Sequence, residues 1–330
     1  MKLSTLGIDL GKTFHLVGMN QCASPAPAVG KSTDFTRRKF LAAAGASALS
    51  FWTISCARSS IKPGSVSTTT DLNLMRGCNT NFVGDYQAAG ITVSGVRHYC
   101  AHNTVPSVWP TRPTDPNTTV FMCVSIYPNV STLLSGGYDS QLTSFLQGAE
   151  PKDMLNCWHE ASSMSYTDGT GHVITSTDQC KMLTYLQKFA KAQGSPVVVG
   201  AIEVPQWGTS SAWMSSQLDF YGLDIYQNQE SDPVSTLNVW WDQVVTNGYG
   251  SSVATIAVCE CNCDNAASRP CYFYDVANWL RSQTRSGPSC FLTYWNPNGP
   301  MSGPWLSTDT ATINELKNIG NGNYNNPGGC

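Results

Sequence analysis

Two glutamates, Glu160 and Glu260, end two apolar stretches of the sequence that lie a hundred positions apart. The first stretch runs over 154–160 and the second over 255–260. Two facing carboxyl groups can divide the work of glycoside cleavage, because one protonates the departing oxygen while the other attacks the sugar carbon or activates water. A lone glutamate at a strand end more often only caps the strand in solvent. Two at corresponding positions favour catalysis.

Beyond residue 70, short apolar stretches alternate with amphipathic ones, which predicts alternating strands and helices. The strand candidates are 75–79, 93–99, 119–126, 153–159, 196–203, 218–225, 253–260 and 289–295. The helix candidates are 139–147, 178–192, 233–246, 273–283 and 309–318. Eight strands with helices over about 260 residues predict the α/β class and a (β/α)8 TIM barrel, whose strand ends carry catalytic groups. A doubly wound sheet would have fewer strands, and no Gly-x-Gly-x-x-Gly follows the first strand to support dinucleotide binding.

The segment Trp158-His159-Glu160 resembles the acid/base motif of glycoside hydrolase family 26, within a larger clan of barrels that carry catalytic glutamates on strands 4 and 7. The segments 219–226 and 291–296 are similar to the sixth and eighth strands of that group. The resemblance implies a retaining mechanism with Glu160 as acid/base and Glu260 as nucleophile. It also implies that His159 and Tyr226 support these groups by hydrogen bonds and that Trp295 forms the floor of a sugar site.

Four further residues have a place near the predicted strand ends but more than one reading. Trp207, after the fifth strand, either stacks on a sugar face or packs in a lid or core. Arg97, at the end of the second strand, either hydrogen-bonds sugar hydroxyls or pairs with Glu260. Asp224 has a substrate-binding or a structural role. Glu203 stays unassigned, because alternation along its strand could bury it beside the site or direct it towards the helices.

Thirteen cysteines occur in the chain, eleven of them beyond residue 56. An exported protein with this many predicts disulfides, although sequence does not give their pairing. Cys259, Cys261 and Cys263 lack the spacing of zinc ligands and have no histidine nearby, so we expect neither a metal nor a cofactor. Strand alternation also predicts that these three lie on the face opposite Glu260.

The charges are unevenly distributed along the chain. Of 19 basic and 22 acidic residues, 7 basic and 2 acidic ones precede residue 61, which leaves 12 basic against 20 acidic in the remainder. An acidic body argues against a nucleic-acid partner, because phosphate binding needs a basic face. A neutral polysaccharide or oligosaccharide substrate is compatible with this charge and with the abundance of aromatic residues.

Residues 34–56 have the layout of a bacterial export signal, with a basic stretch, an apolar run and small residues before Cys56. Arg37-Arg38 resembles the twin-arginine motif, which implies the twin-arginine export machinery as a partner. We therefore expect a periplasmic, cell-surface or extracellular protein. The alternative is a membrane anchor, but the apolar run of roughly 16 residues is shorter than a spanning helix. Membrane attachment is expected only if Cys56 carries a lipid.

The first 22 residues resemble the start of IS110-type transposases, in which Asp9 would be the aspartate of a ribonuclease-H-like site. No second half of such a domain follows, so we interpret residues 1–33 as an extraneous extension from a gene fusion or a misassigned start codon, or as a long leader. Residues 57–70, rich in Ser, Thr, Gly and Pro, form the predicted linker. Residues 71–330 form the predicted glycoside hydrolase barrel domain.

Together these features predict an exported retaining glycoside hydrolase that cleaves a mannan, a xylan or a mixed-linked glucan. Two other functions stay open. One is a carbohydrate-binding barrel protein of the cell envelope without catalysis, since the residues after Glu160 and Glu260 depart from the family pattern. The other is a DNA transposase, which the acidic body and the export signal disfavour.

Overall fold

The strands of the described chain are parallel and pair in one closed ring. The computed structural model describes residues 74–204, 213, 218–227, 232–246, 255–263, 265–283, 289–293, 308–322, 326–327 and 330. Its strands are β1 Leu74–Asn79, β2 Gly95–His102, β3 Phe121–Tyr127, β4 Met154–Cys157, β5 Val198–Glu203, β6 Phe220–Gln227, β7 Thr255–Cys263 and β8 Ser289–Thr293. Each strand pairs with the next, and β8 pairs with β1. The predicted α/β class with a parallel sheet is confirmed.

Helices follow most of these strands. Those in the described residues are α1 Val83–Ala88, α2 Val130–Leu134, α3 Asp139–Leu146, α4 Ser176–Ala192, α5 Pro233–Thr246, α6 Arg269–Ser282 and α7 Thr310–Gly320. The five helices predicted from periodicity are present. The two short helices α1 and α2 went unpredicted, because five or six residues are too few to display a 3.6-residue period. None of the described helices has the length and apolar character that crossing a membrane would require.

The connection between β2 and β3, residues 103–120, contains no helix. It carries four prolines, Pro106, Pro110, Pro113 and Pro116. Each proline lacks a backbone donor and disfavours helical geometry in the residue before it, so a helix cannot extend through this segment. The strict alternation of strand and helix is therefore broken at this connection.

Two sets of apolar side chains share the core. The larger set packs between the sheet and the helices, and the smaller lies inside the ring: Cys123, Met154, Ile202, Phe220, Ala257 and Cys259. Gly200 permits this interior packing, because a Cβ there would lie 2.1 Å from the Phe220 carbonyl oxygen and 2.5 Å from its ring. The filled interior leaves the strand ends as the place where polar groups can meet a substrate.

Strand β7 contains a bulge that changes the direction of its side chains. Leu223 of β6 pairs with Val258, and the next residue, Asp224, pairs with Glu260, so Cys259 is the extra residue. Cys259 belongs to the ring interior, whereas Cys261 packs in the outer core. The prediction that all three β7 cysteines lie opposite Glu260 is thus wrong for Cys259, because alternation assumes an uninterrupted strand.

The predicted disulfides have one representative among the described residues. Cys271, in the first turn of α6, is bonded to Cys330. Cys100, Cys123 and Cys157 have free thiols. The predictions for residues 1–33, 34–56 and 57–70 fall outside the described residues and stay predictions.

Asp153 ties the start of β4 to its surroundings and is fully buried. Its two oxygens accept hydrogen bonds from both terminal nitrogens of Arg112, at 2.9 and 2.7 Å, and from the backbone amides of Met122 and Glu150.

We expect D153A to lower the free energy of unfolding by about 3–5 kcal/mol, because it leaves these buried donors without an acceptor. Urea denaturation measures this. D178A, which loses the partly buried aspartate of the capping box of α4, serves as control at about 1 kcal/mol. Equal losses in the two variants would contradict this role.

Candidate active site

Glu160 lies beyond the end of β4 on a strained turn. The strand stops at Cys157, earlier than the predicted 159, and Trp158 and Glu160 both have φ of 53°. Their backbone amides donate to different neighbours, Trp158 to Ile126 of β3 and Glu160 to Ile202 of β5, each at 3.0 Å. Left-handed backbone at a residue other than glycine costs about 1 kcal/mol or more, and it persists only where the surroundings enforce it.

The side chain of Trp158 helps to enforce this turn. Its ring is fully buried, and its Nε1 donates to the carbonyl oxygen of Pro128 at 3.0 Å. The rings of Tyr127 and Tyr166 lie 5.4 and 5.2 Å from it. The backbone geometry of Glu160 is therefore set by packing on one side and by β5 on the other.

Glu260 follows the bulge of β7, and it is 5% exposed. The hydroxyl of Tyr226, on the neighbouring strand β6, donates a hydrogen bond to its Oε2. Its Oε1 lies 3.9 Å from Nε of Arg97. The structure thus brings together three residues that the sequence singled out on three different strands.

His159 stands between the two glutamates. Its Nε2 is 3.7 Å from Oε1 of Glu160 and 3.5 Å from Oε1 of Glu260. These two oxygens can be no farther apart than the sum of those distances. That limit admits the roughly 5–5.5 Å separation of retaining glycosidases and leaves out most of the roughly 6.5–9.5 Å range of inverting ones. The same Nε2 is hydrogen-bonded to Oδ2 of Asp224 at 2.5 Å.

Burial raises the pKa of every carboxyl group in this cluster. The pKa of Glu160 rises to about 7 through burial and then through the charge of Asp224. The pKa of Glu260 also rises to about 7 through burial, and Arg97 opposes that rise. Burial raises the pKa of Asp224 to about 7 as well. Because Glu260 has a hydroxyl donor and a guanidinium beside it, we assign the carboxylate to Glu260 and the proton to Glu160.

His159 has the opposite shift. Burial, followed by the charge of Arg97, lowers its pKa to about 3. The ring is therefore neutral at neutral pH and contributes a hydrogen bond, without charge, to Asp224. The edge of Tyr99, with its ring centroid 5.3 Å away, packs against it.

Arg97 is a buried residue beneath the glutamates, 1% exposed. Its NH1 donates to the sulfur of Cys123 at 2.8 Å, and its guanidinium carbon lies 5.0 Å from the centroid of the Tyr99 ring. Burial lowers the pKa of Arg97, but its acidic neighbours Cys123, Cys259, Asp224 and Glu260 raise the pKa by more, so Arg97 stays protonated. Of its two predicted roles, this position favours pairing with Glu260 over contact with sugar hydroxyls.

Two predicted site residues, Trp207 and Trp295, lie outside the described residues. Among the described ones, the sequence did not indicate Tyr99, although it shares the face of Arg97 two residues earlier on β2. Glu203 is fully buried and accepts from the Ser162 amide at 3.0 Å. Burial raises the pKa of Glu203 to about 8. The preceding residue, Ile202, lies inside the ring, so alternation along β5 places Glu203 on the helix side of the sheet.

One group in the described part of the chain has the spacing of a metal site. His159, Glu160 and Asp224 each present one atom within 4.8 Å of the others. Nε2 of His159, the nitrogen that would bind the metal, is already hydrogen-bonded to Asp224. We therefore assign these side chains to hydrogen bonding and proton transfer.

The comparison with known proteins finds similarity of fold and no similarity of sequence that would indicate a family. No protein family model matches the chain, and no curated protein matches it. A family 26 β-mannanase from Bacteroides ovatus superposes with a TM-score of 0.44 at 10% identity, over 75% of this chain and 88% of its own. A family 128 curdlan-specific exo-β-1,3-glucanase from Blastomyces gilchristii gives 0.46 at 11%, over 74% and 97%.

An endo-β-1,4-mannanase of family 26 from Cellulomonas fimi gives a TM-score of 0.46 at 11% identity, over 75% of this chain and 70% of its own. Similarity at this level does not indicate an activity, which depends on the side chains of this chain.

Proposed function

We propose that residues 71–330 form a (β/α)8 TIM barrel that hydrolyses a neutral polysaccharide with retention of configuration. The proposed substrates are a mannan, a xylan or a mixed-linked glucan. The observation that carries the proposal is the position of two buried carboxyl groups, one just after β4 and one within β7, at 3.7 and 3.5 Å from one histidine nitrogen. Burial of carboxyl groups costs free energy, which favours a functional reason for this cluster.

In the first step, Glu260 attacks the anomeric carbon while Glu160 donates its proton to the departing glycosidic oxygen. The bond from carbon to leaving group breaks, and Glu260 becomes a glycosyl ester. Its negative charge then disappears, which lowers the pKa of the neighbouring Glu160. Glu160 can now take a proton from water, and that water cleaves the ester to release the sugar and restore Glu260.

The surrounding residues prepare this exchange. Tyr226 donates to Glu260 and fixes the direction of its attacking carboxylate. His159, held by Asp224, occupies the space between the two acids without adding charge. Trp207 and Trp295 are proposed to stack on sugar rings, whose apolar faces suit aromatic side chains.

Hydrolysis of purified mannan, xylan, mixed-linked glucan and β-1,3-glucan by residues 60–330, followed by release of reducing ends, tests the proposal. We expect turnover of at least one of these polysaccharides. Binding to a polysaccharide without release of reducing ends would overturn the enzymatic proposal and favour the carbohydrate-binding barrel.

The pH dependence of this hydrolysis follows from the two shifted pKa values. Glu260 is active when ionised, so activity falls as pH drops below its pKa of about 7. Glu160 is active when protonated, so activity falls as pH rises above its pKa of about 7. We expect a bell-shaped profile of kcat/KM with a maximum near neutrality, measured from pH 4 to pH 10. Full activity at pH 4 would contradict these protonation states.

A further inference from the structure

The buried guanidinium of Arg97 has few hydrogen bonds and no carboxylate in direct contact with it. It is 1% exposed, and its Nε and NH2 have no hydrogen-bond partner among the described residues. The nearest carboxylate oxygen, Oε1 of Glu260, is 3.9 Å from Nε, which is too far for a hydrogen bond. A buried cation without a counter-charge in contact is strongly unfavourable.

The atom closest to this charge is a sulfur. Sγ of Cys123, on β3, lies 2.8 Å from NH1 of Arg97, and Cys123 is 1% exposed. This distance places the sulfur in direct contact with the guanidinium, as its hydrogen-bond acceptor. On its other side, Sγ of Cys259 lies 4.0 Å away, within hydrogen-bond reach of the sulfur of Cys123. Cys123 therefore lies between the guanidinium and a second thiol inside the ring of strands.

The surroundings of Cys123 both raise and lower the pKa of its thiol. Burial raises the pKa of its thiol, whereas the bond from Cys259 and the charge of Arg97 lower it, and Asp224 raises it. The net effect is a pKa below the ordinary value for a thiol. By contrast, burial raises the pKa of the Cys157 thiol well above its usual range.

We propose that Cys123 is a thiolate and that, as the ion-pair partner of Arg97, it is a positioning residue that sets the distance between Arg97 and Glu260. The thiolate draws the guanidinium towards the ring interior, so that Glu260 receives its charge at 3.9 Å instead of a direct bond. Glu260 then keeps a higher proton affinity than a carboxylate bonded to arginine would have. This second part of the inference rests on the proposed role of Glu260, but the thiolate itself does not.

The ultraviolet absorbance of thiolates tests the first part directly. Reduced wild-type protein at pH 7 is expected to show a thiolate band that acidification removes. C123S should lose the absorbance of one thiolate, whereas C157S should keep it. C259A should shift the appearance of the band to higher pH, because the hydrogen bond with Cys259 that lowers the pKa of Cys123 is gone. Equal bands in wild type and C123S, or no titrating band in wild type, would overturn the proposal.

The pH profile of hydrolysis tests the second part. In C123S, Arg97 loses its closest partner and is free to bond Glu260, so the acid limb of kcat/KM should move to lower pH by about one unit. C157S should keep the wild-type profile. An unshifted acid limb in C123S would overturn the positioning role. Absence of hydrolysis in every variant would refute the proposed function, while the absorbance would still decide the state of Cys123.

Discussion

E260A is expected to lower kcat/KM on the preferred polysaccharide by at least about 10⁴-fold, because the group that attacks the sugar carbon is removed. Neighbouring carboxyl groups cannot replace it. Glu160 approaches the sugar from the leaving-group side, and Asp224 is held by His159 inside the protein. Initial rates of reducing-end release measure the loss.

The loss in E260A must come from chemistry and not from unfolding. E315Q is the control, since Glu315 is also a buried glutamate but lies on α7, away from the strand ends. E315Q should keep its activity. Thermal unfolding of E260A should resemble that of wild type, because the variant removes a costly buried acid. If E260A retained a tenth of wild-type activity, Glu260 would not be the nucleophile.

E160A is expected to lose about 10²–10⁴-fold in kcat on polysaccharide, since the departing sugar oxygen then leaves without a proton. The loss should depend on the leaving group. With an aryl glycoside whose phenolate departs unaided, the first step needs no acid, and the covalent ester then accumulates because no base activates water. A rapid burst followed by slow turnover is the expected time course.

This dependence separates the two glutamates. E260A should be inactive on both kinds of substrate, whereas E160A should be selectively poor on the natural one. Comparison of polysaccharide and aryl glycoside with both variants measures the difference. Equal losses of E160A in kcat/KM, which reports the first step, on the two substrates would exclude Glu160 as the acid.

The elements and their order followed from periodicity. The α4 helix shows its buried stripe in Met182, Leu183 and Leu186, and the structure begins it at Ser176, two residues before the prediction. The strand candidate 253–260 is an uninterrupted apolar run, which is typical of a parallel strand buried on both faces. Because catalytic groups of such folds lie at strand ends, Glu160 and Glu260 could be singled out without knowing any distance.

Hydrophobic periodicity does not predict local backbone geometry. Nothing in residues 157–160 signals two left-handed residues, since neither Trp158 nor Glu160 prefers that geometry. The bulge at Cys259 was hidden for a similar reason, because a bulge adds one residue without changing the apolar run. The proximity of Arg97 to Cys123 depends on side chains of two strands converging inside the ring, which sequence spacing does not encode.

The measurement that tests the central claim most directly is the anomeric configuration of the product that E260A forms with azide. Azide fits the space of the missing carboxylate and can attack the same carbon, while Glu160 still protonates the leaving group. We predict restored turnover and a glycosyl azide with configuration opposite to that of the substrate, seen by proton NMR. A glycosyl azide that keeps the configuration of the substrate would show attack from the other face and would contradict the assignment of Glu260.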